Sequence, residues 1–319
     1  METKTKNSSM EVSIIIVNYN STQLLKNCVD SLIENTKNLK YEIIVIDNNS
    51  IVGNVEDVLK CYDGVVLIKN NINKGFGRAN NQGAKIAKGK YLLFLNNDTI
   101  FYENTIKKIF DFAESAKKDS IISCRLLNGD KSLQKSIYDF PSLFNVFSSN
   151  FFLYLLFPKS KLFNKYHLIN KTINSSNEVD VVTGAFLFIR WETFKQLNGF
   201  DETFFFYMED TDICYRHKMN NGNVIYFPET SIVHLKGRSA KGESWFKNKY
   251  QSISTIQYFQ KHFKGVKYFL MILFHFVGLL LRVPIFLISG IITLNSDLIK
   301  RSAFNLRLLF IYPSKLIDN

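Results

Sequence analysis

Val12-Ser-Ile-Ile-Ile-Val-Asn-Tyr-Asn20 decides the fold. Its unbroken β-branched run suits a strand covered on both faces, as in a parallel sheet packed between helices. Asn18-Tyr19-Asn20 ends the run. Ser21 or Thr22 can then cap a helix whose apolar positions Leu24, Leu25, Cys28, Leu32 and Ile33 follow helical spacing. Three further apolar runs follow. Tyr41-Glu-Ile-Ile-Val-Ile46 runs into Asp47-Asn48-Asn49-Ser50, and Val65-Val-Leu-Ile68 into a Gly-rich turn and a helix around Ala79–Lys88. Tyr91-Leu-Leu-Phe-Leu95 runs into Asn96-Asn97-Asp98. Strands alternating with helices predict an α/β protein with a doubly wound, mostly parallel sheet. Ligands of such sheets bind beyond the carboxyl ends of the strands, and three of these four strands run directly into polar clusters at that edge.

Outward from this half the pattern loosens. A middle part carries an aromatic stretch, Phe140 to Phe157, and a β-like run over Val179–Ile189. The last part is apolar and basic. We divide the chain at 10–125, 126–250 and 251–319. The charge follows that division. Of a net +12 over 319 residues, residues 1–214 account for +1, and 215–319 for +11, with 15 basic side chains against 4 acidic. Ordinary apolar and charged content, 46% and 21%, excludes a wholly disordered or collagen-like chain. The basic end calls for an anionic partner or a membrane surface at that end only. Cys28, Cys61, Cys124 and Cys214 form no C-x-x-C pair, so reduced and mostly buried thiols are expected in place of a zinc site or disulfide framework. Met1 to Glu11 is polar without an apolar signal core, which with the thiols predicts a cytoplasmic location.

The polar clusters carry distinct chemistry. Asp47 at a strand end can accept from a base imide or ribose hydroxyl, with Asn18 supplying an amide, although Asp-Asn-Asn-Ser is also turn chemistry. Asn73-Lys-Gly-Phe-Gly-Arg-Ala79 sets two glycines and the cations Lys74 and Arg78 before a helix, where backbone N–H groups can face a diphosphate. Asp98 suits a hard divalent cation that already holds phosphate oxygens, or simply a turn. Glu209-Asp210-x-Asp212 gains support from a helix dipole, or offers a general base against the aromatic wall Phe204-Phe-Phe-Tyr207. His234 ends a short β-like run. None of these decides the matter alone, but their order does.

Taken in order, these segments resemble glycosyltransferase family 2, specifically its non-processive bacterial rhamnosyltransferase-like members with the GT-A fold. The resemblance is carried by Val12–Asn20, Val45–Ser50, Asn73–Gly83, Leu95–Thr99, Thr183-Gly-Ala185, Gly199-Phe-Asp-Glu202, Phe206–Arg216 and Pro228–Ser239, over about residues 12–240. It implies that Asn18 and Asp47 hold the nucleoside of a nucleotide-diphosphate sugar, with Lys74, Gly75 and Arg78 near the phosphates. It places Asn96, Gly184, Glu209 and Arg216 among the substrate-binding residues and makes Asp210 the general base. Asp98 corresponds to the last acid of the family's Asp-x-Asp motif and His234 to a later metal-contacting histidine, so Mg2+ or Mn2+ is the implied cofactor. Asn96 departs from that motif: an amide replaces a carboxylate. No Gln-x-x-Arg-Trp motif is present, which favours addition of a single residue. The expected function is therefore inverting transfer of one sugar, rhamnose being the family-based choice, to a glycan or polyprenyl-diphosphate-linked acceptor in envelope polysaccharide synthesis.

Phe269–Leu294 is long enough to span a bilayer, but Arg282 and Pro284 fall near its centre. Two short interfacial helices are expected, with Lys261, Lys264, Lys267, Lys300, Arg301 and Arg307 attracted to an anionic membrane, placing the protein peripherally on its cytoplasmic face. A buried hairpin or homodimer contact is the alternative. A catalytically silent nucleotide-sugar-binding partner of another transferase is the second functional reading. Nucleic-acid binding through the basic end is the third, and the long apolar runs argue against it.

Overall fold

The computed structural model describes residues 10–116, 118–157, 159–160, 162–163, 173–235 and 245–317, with side chains to Ile311. Residues 1–9 and 236–239, which complete the polar N-terminus and the Pro228–Ser239 segment, lie outside the described residues. The chain forms two compact units, one of Met1–Asp139, Asn170–Phe205 and Glu209–Ser239, the other of Phe140–Ile169, Phe206–Met208 and Ala240–Asn319.

The first unit is built on the strands read from the sequence: β1 (Val12–Asn18), β2 (Tyr41–Asp47), β3 (Val65–Lys69) and β4 (Tyr91–Asn96). They pair in parallel in the order β3-β2-β1-β4, so Asn18 stands beside Asp47 and Val17 beside Asn96 at the carboxyl edge. The helices α1 (Thr22–Asn35), α2 (Val55–Leu59) and α3 (Phe76–Ile86) connect them. β-Branched residues bury the strands: Val12, Ile14, Ile15 and Ile16 are fully buried, and Leu25, Cys28 and Leu32 of α1 pack into the same core.

Beyond β4 the chain adds β5 (Thr99–Ile100), α4 (Thr105–Ser115), β6 (Ser120–Leu127) and β7 (Ile137–Tyr138). In the second unit lie α5 (Leu143–Asn150) and α6 (Leu153–Leu156). The first unit resumes with β8 (Asn177–Glu178), β9 (Val181–Val182), β10 (Phe186–Arg190), α7 (Trp191–Gln196), α8 (Glu209–Met219) and β11 (Asn223–His234). The run over Val179–Ile189 therefore splits at Gly184: β9 pairs with β7 in a small separate sheet, while β10 joins β4 antiparallel. The main sheet continues β4-β10-β6-β11-β5, mixed in direction. Of the cysteines, Cys28, Cys124 and Cys214 are buried thiols and Cys61 is exposed. Burial pushes the Cys28 and Cys214 thiols up to about 12.

The second unit also contains α9 (Trp245–His262), α10 (Gly265–Ile292) and α11 (Ser296–Ile317). Here the expectation of two short helices is corrected, because α10 runs unbroken for 28 residues through Pro284. A proline forfeits its own N–H bond and strains one turn, but tertiary contacts flank it. Ser302 Oγ donates to Val283 O at 2.7 Å, and Arg282 donates from Nη1 to Asn150 Oδ1 at 2.9 Å with its guanidinium over Phe152. Gly278 makes this possible: a Cβ there would lie 2.2 Å from Asn150 Oδ1. Leu279, Ile256 and Leu308 form the core among α9, α10 and α11.

Candidate active site

The carboxyl edge of β1, β2 and β4 carries a line of linked polar side chains. Asp47 Oδ1 accepts from Asn18 Nδ2 at 3.2 Å and from Ser50 Oγ at 2.5 Å. Asn97 Nδ2 donates to Asn18 Oδ1 at 2.8 Å, which orients the Asn18 amide toward Asp47. One residue back, Asn96 N–H donates to Ala185 O at 3.1 Å, and the neighbouring Gly184 N–H donates to Asp210 Oδ2 at 3.0 Å. Asn18, Asp47, Asn96, Gly184 and Asp210, separated by up to 192 positions, thus lie along one sheet edge.

Asp210 is the second residue of α8. Its Oδ1 accepts from Thr211 N–H at 2.7 Å and from Thr211 Oγ1 at 3.3 Å. Burial raises its carboxyl above the ordinary aspartate range, against the opposing pull of the Gly184 and Thr211 donors. Its charge also adds to the burial that takes the Tyr138 phenol up to about 12. Glu209 is more deeply placed, 5% exposed, and burial followed by the charge of Asp210 holds its carboxyl well above the usual range. Its Oε2 is buried without a hydrogen-bond partner among the described residues. The chain enters α8 through Tyr207 and Met208, both left-handed at φ 71° and 70°, a costly conformation for residues with side chains. Arg216 belongs to the frame: it pairs with Asp212 at 2.7 Å and donates to the carbonyls of Leu197 and Gly199, which commits its guanidinium to holding α8 against the preceding turn.

The loop before α3 is shaped by amides. Asn48 Oδ1 accepts from Lys74 N–H at 3.0 Å, and Asn48 Nδ2 donates to Asn73 Oδ1 at 2.8 Å. Gly75 has φ +85°, and Phe76 N–H donates to Phe205 O at 2.9 Å. A Cβ on Gly75 would lie 2.3 Å from that carbonyl. Gly75→Ala is therefore expected to cost about 1–3 kcal/mol, seen as a lower denaturant midpoint at unchanged slope; an unchanged midpoint would show that the loop tolerates a side chain. Arg78 pairs with Glu202 at 2.9 Å, whereas Lys74 has no ion pair among the described residues.

Just past the same carboxyl end of β4, β11 pairs with β5 so that His234 stands beside Thr99, and Leu235 N–H donates to Asp98 O at 2.9 Å. His234 Nε2 then lies 3.1 Å from Asp98 Oδ1 and 3.3 Å from Asn96 Nδ2. A carboxylate oxygen and an imidazole nitrogen converging at this spacing fit a divalent cation of the Mg2+ or Mn2+ kind. Among the described residues no group of three or more His, Cys, Asp or Glu side chains is placed to hold a metal ion, so a cation here would complete its shell with phosphate oxygens and water. Asn48, Asn97, Gln134 and Glu202, which orient or pair with the candidate groups, escaped the sequence reading. Asn48 and Asn97 sit inside polar clusters it marked. Glu202 ends the Gly199–Glu202 segment that carries part of the resemblance, but its pairing with Arg78 is not legible there. Gln134 carries no local signal, because its partner His234 is distant in the chain.

A family model for glycosyl transferase family 2 matches residues 13–194. The chain is 29% identical over 231 residues to rhamnosyltransferase WbbL of Escherichia coli K12, covering 70% of this chain and 83% of the relative. It is 24% identical over 237 residues to the N-acetylglucosaminyl-diphospho-decaprenol L-rhamnosyltransferase of Mycobacterium tuberculosis, covering 71% and 76%. Among solved structures, GalNAc-T7 with UDP, GalNAc and Mn2+ matches with a TM-score of 0.53 at 17% identity, over 81% of this chain and 52% of that one, a likeness of fold.

Proposed function

Because the chain belongs to glycosyltransferase family 2, we propose that it moves one sugar, rhamnose foremost, from a nucleoside-diphosphate donor to a polyprenyl-diphosphate-linked glycan of the cell envelope. The observation that carries this reading is the hydrogen-bonded line from Asp47 through Asn18 and Asn97, continued from Asn96 to Gly184 and Asp210. Asn18 and Asp47 hold the nucleoside. Lys74, the start of α3 after Gly75 and the pair-bound Arg78 face the diphosphate. Asn96 and Gly184 border the donor sugar, and the unpartnered Glu209 Oε2 accepts from one of its hydroxyls. Arg216 acts at one remove, by bracing α8.

Asp210 takes the proton of the acceptor hydroxyl as that oxygen attacks the anomeric carbon and the bond to the diphosphate breaks on the opposite face, inverting the centre. Asp98 and His234 would hold Mg2+ or Mn2+, whose charge, when bound, stabilises the departing diphosphate.

The second unit supports attachment to the membrane surface. Val266, Phe269, Leu273, Leu280, Leu287, Ile288 and Ile291 follow helical spacing and are all exposed on α10. Arg282 lies roughly 160° around the helix from Val266, at 3.6 residues per turn, and finds its partners on α5. The charge at the helix centre therefore costs the apolar face nothing. By length and composition α10 could also cross a membrane, but α11, packed antiparallel beside it, carries Asp297, Lys300, Arg301 and Arg307. We favour a hairpin lying in the interface of the cytoplasmic leaflet.

The test is transfer by the purified full-length protein with Mn2+, a polyprenyl-diphosphate N-acetylglucosamine acceptor, and dTDP-rhamnose or UDP-linked sugars in turn. Addition of one sugar, lost on chelation and regained with Mn2+, is expected. Donor binding without turnover under every combination would favour the silent-partner reading.

A further inference from the structure

Gln134 precedes His234 by one hundred residues and is 5% exposed. Its side chain grips that histidine twice. Nε2 donates to the His234 carbonyl oxygen and to Asn128 Oδ1, each at 2.9 Å. A backbone carbonyl can only accept, so the amide nitrogen must face it, and the amide oxygen must face the ring. Oε1 lies 2.6 Å from His234 Nδ1. An amide oxygen cannot donate, so in the neutral ring Nδ1 carries the hydrogen. Nε2 then presents its lone pair toward Asp98 Oδ1, 3.1 Å away. Two acceptors facing each other at that distance repel unless a proton or a metal cation lies between them, and Asn96 Nδ2, 3.3 Å from Nε2, can donate to the same lone pair. The opposite tautomer would require turning the Gln134 amide, which sets its oxygen against the His234 carbonyl.

We propose that Gln134 is a positioning residue for the candidate cation site, fixing both the tautomer and the backbone of His234 so that Nε2 is held ready as a ligand. The proposal rests on the reading of His234 as a cation ligand and names the residue that makes it one. An outer partner of this kind orients the imidazole and raises its basicity toward a metal. The same side chain holds the carbonyl of the residue whose ring it orients, so neither ring nor backbone can swing independently.

The tautomer can be read directly in metal-free wild-type protein by long-range 1H–15N correlation with labelled histidine, the His234 signal being assigned among the five histidines by its loss in His234→Gln. The expected form is Nδ1–H. A ring protonated at Nε2 in the neutral form would overturn the proposal without any variant at position 134. Gln134→Leu is then expected to weaken binding of Mn2+ alone, followed by electron paramagnetic resonance, by roughly 10–100-fold, and to release the ring into a mixture of tautomers. Gln134→Glu still accepts from Nδ1–H but sets its second oxygen against the His234 carbonyl. It is therefore expected to keep the tautomer and recover only part of the affinity lost in Gln134→Leu, a split that a purely structural role would not produce. If His234→Ala loses Mn2+ while Gln134→Leu keeps full affinity, the positioning role fails and the ligand reading stands. If His234→Ala also keeps full affinity, the ligand reading fails and takes the proposal with it.

Discussion

Asp210→Asn is expected to lower transfer by roughly 10²–10⁴-fold, the range a positioned general base contributes, with donor binding nearly unchanged. The asymmetry follows from where Asp210 sits. Its carboxylate is held by Gly184 N–H at 3.0 Å and Thr211 N–H at 2.7 Å, whereas the proposed nucleoside contacts lie on β1 and β2. Asparagine keeps the shape and an acceptor oxygen but cannot take a proton. The pH dependence gives a second reading of the same group. Burial raises the Asp210 carboxyl, and the base works only when ionised. Activity should therefore climb with pH through a value above the ordinary aspartate pKa of about 3.9, and fall away as pH drops through it. Calorimetric titration of donor with the variant, beside a kcat/KM profile of the wild type, checks both. Turnover near the wild-type level in Asp210→Asn would remove it from the role of base.

The second large effect is expected at the membrane. Leu280→Asp combined with Ile288→Asp should release the protein from vesicles containing anionic lipid, lowering partitioning by about 10²–10⁴-fold. That figure follows from about 1.5–3 kcal/mol for each large apolar side chain buried and 1.4 kcal/mol per factor of ten. Both residues are exposed, Leu280 at 46% and Ile288 at 57%, so the fold loses no core contact. Lys264 and Lys267, exposed at the start of α10, should add about 1 kcal/mol each on an anionic surface, and high salt should remove that share while leaving the apolar share. Flotation of the two proteins with anionic and neutral vesicles measures the two contributions separately. Equal binding of the double variant and the wild type would mean that the α10 stripe faces something other than lipid.

The nucleotide-binding half was legible because its signals are local. Each of β1, β2 and β4 ends where an apolar run meets Asn or Asp, so strand, edge and polar group could be read within ten residues of one another. Helix α3 begins at Phe76, earlier than the apolar spacing suggested, because Gly75 adopts φ +85° and opens the helix. The continuity of α10 could not be read. Arg282 and Pro284 look like an interruption until Asn150, Phe152 and Ser302, distant in the chain, are brought against that segment.

By itself, the sequence determined the parallel strand order's raw material, the acidic start of α8 and the family, since these rest on period and adjacency along the chain. Only the tertiary structure decided which groups meet. It set Asp98 against His234 through the β5–β11 pairing, enclosed Arg216 as a brace, and gave Gln134 its hold on the His234 ring. Hydrogen bonds across one hundred residues depend on strand register and side-chain direction, and no local pattern of residues specifies either.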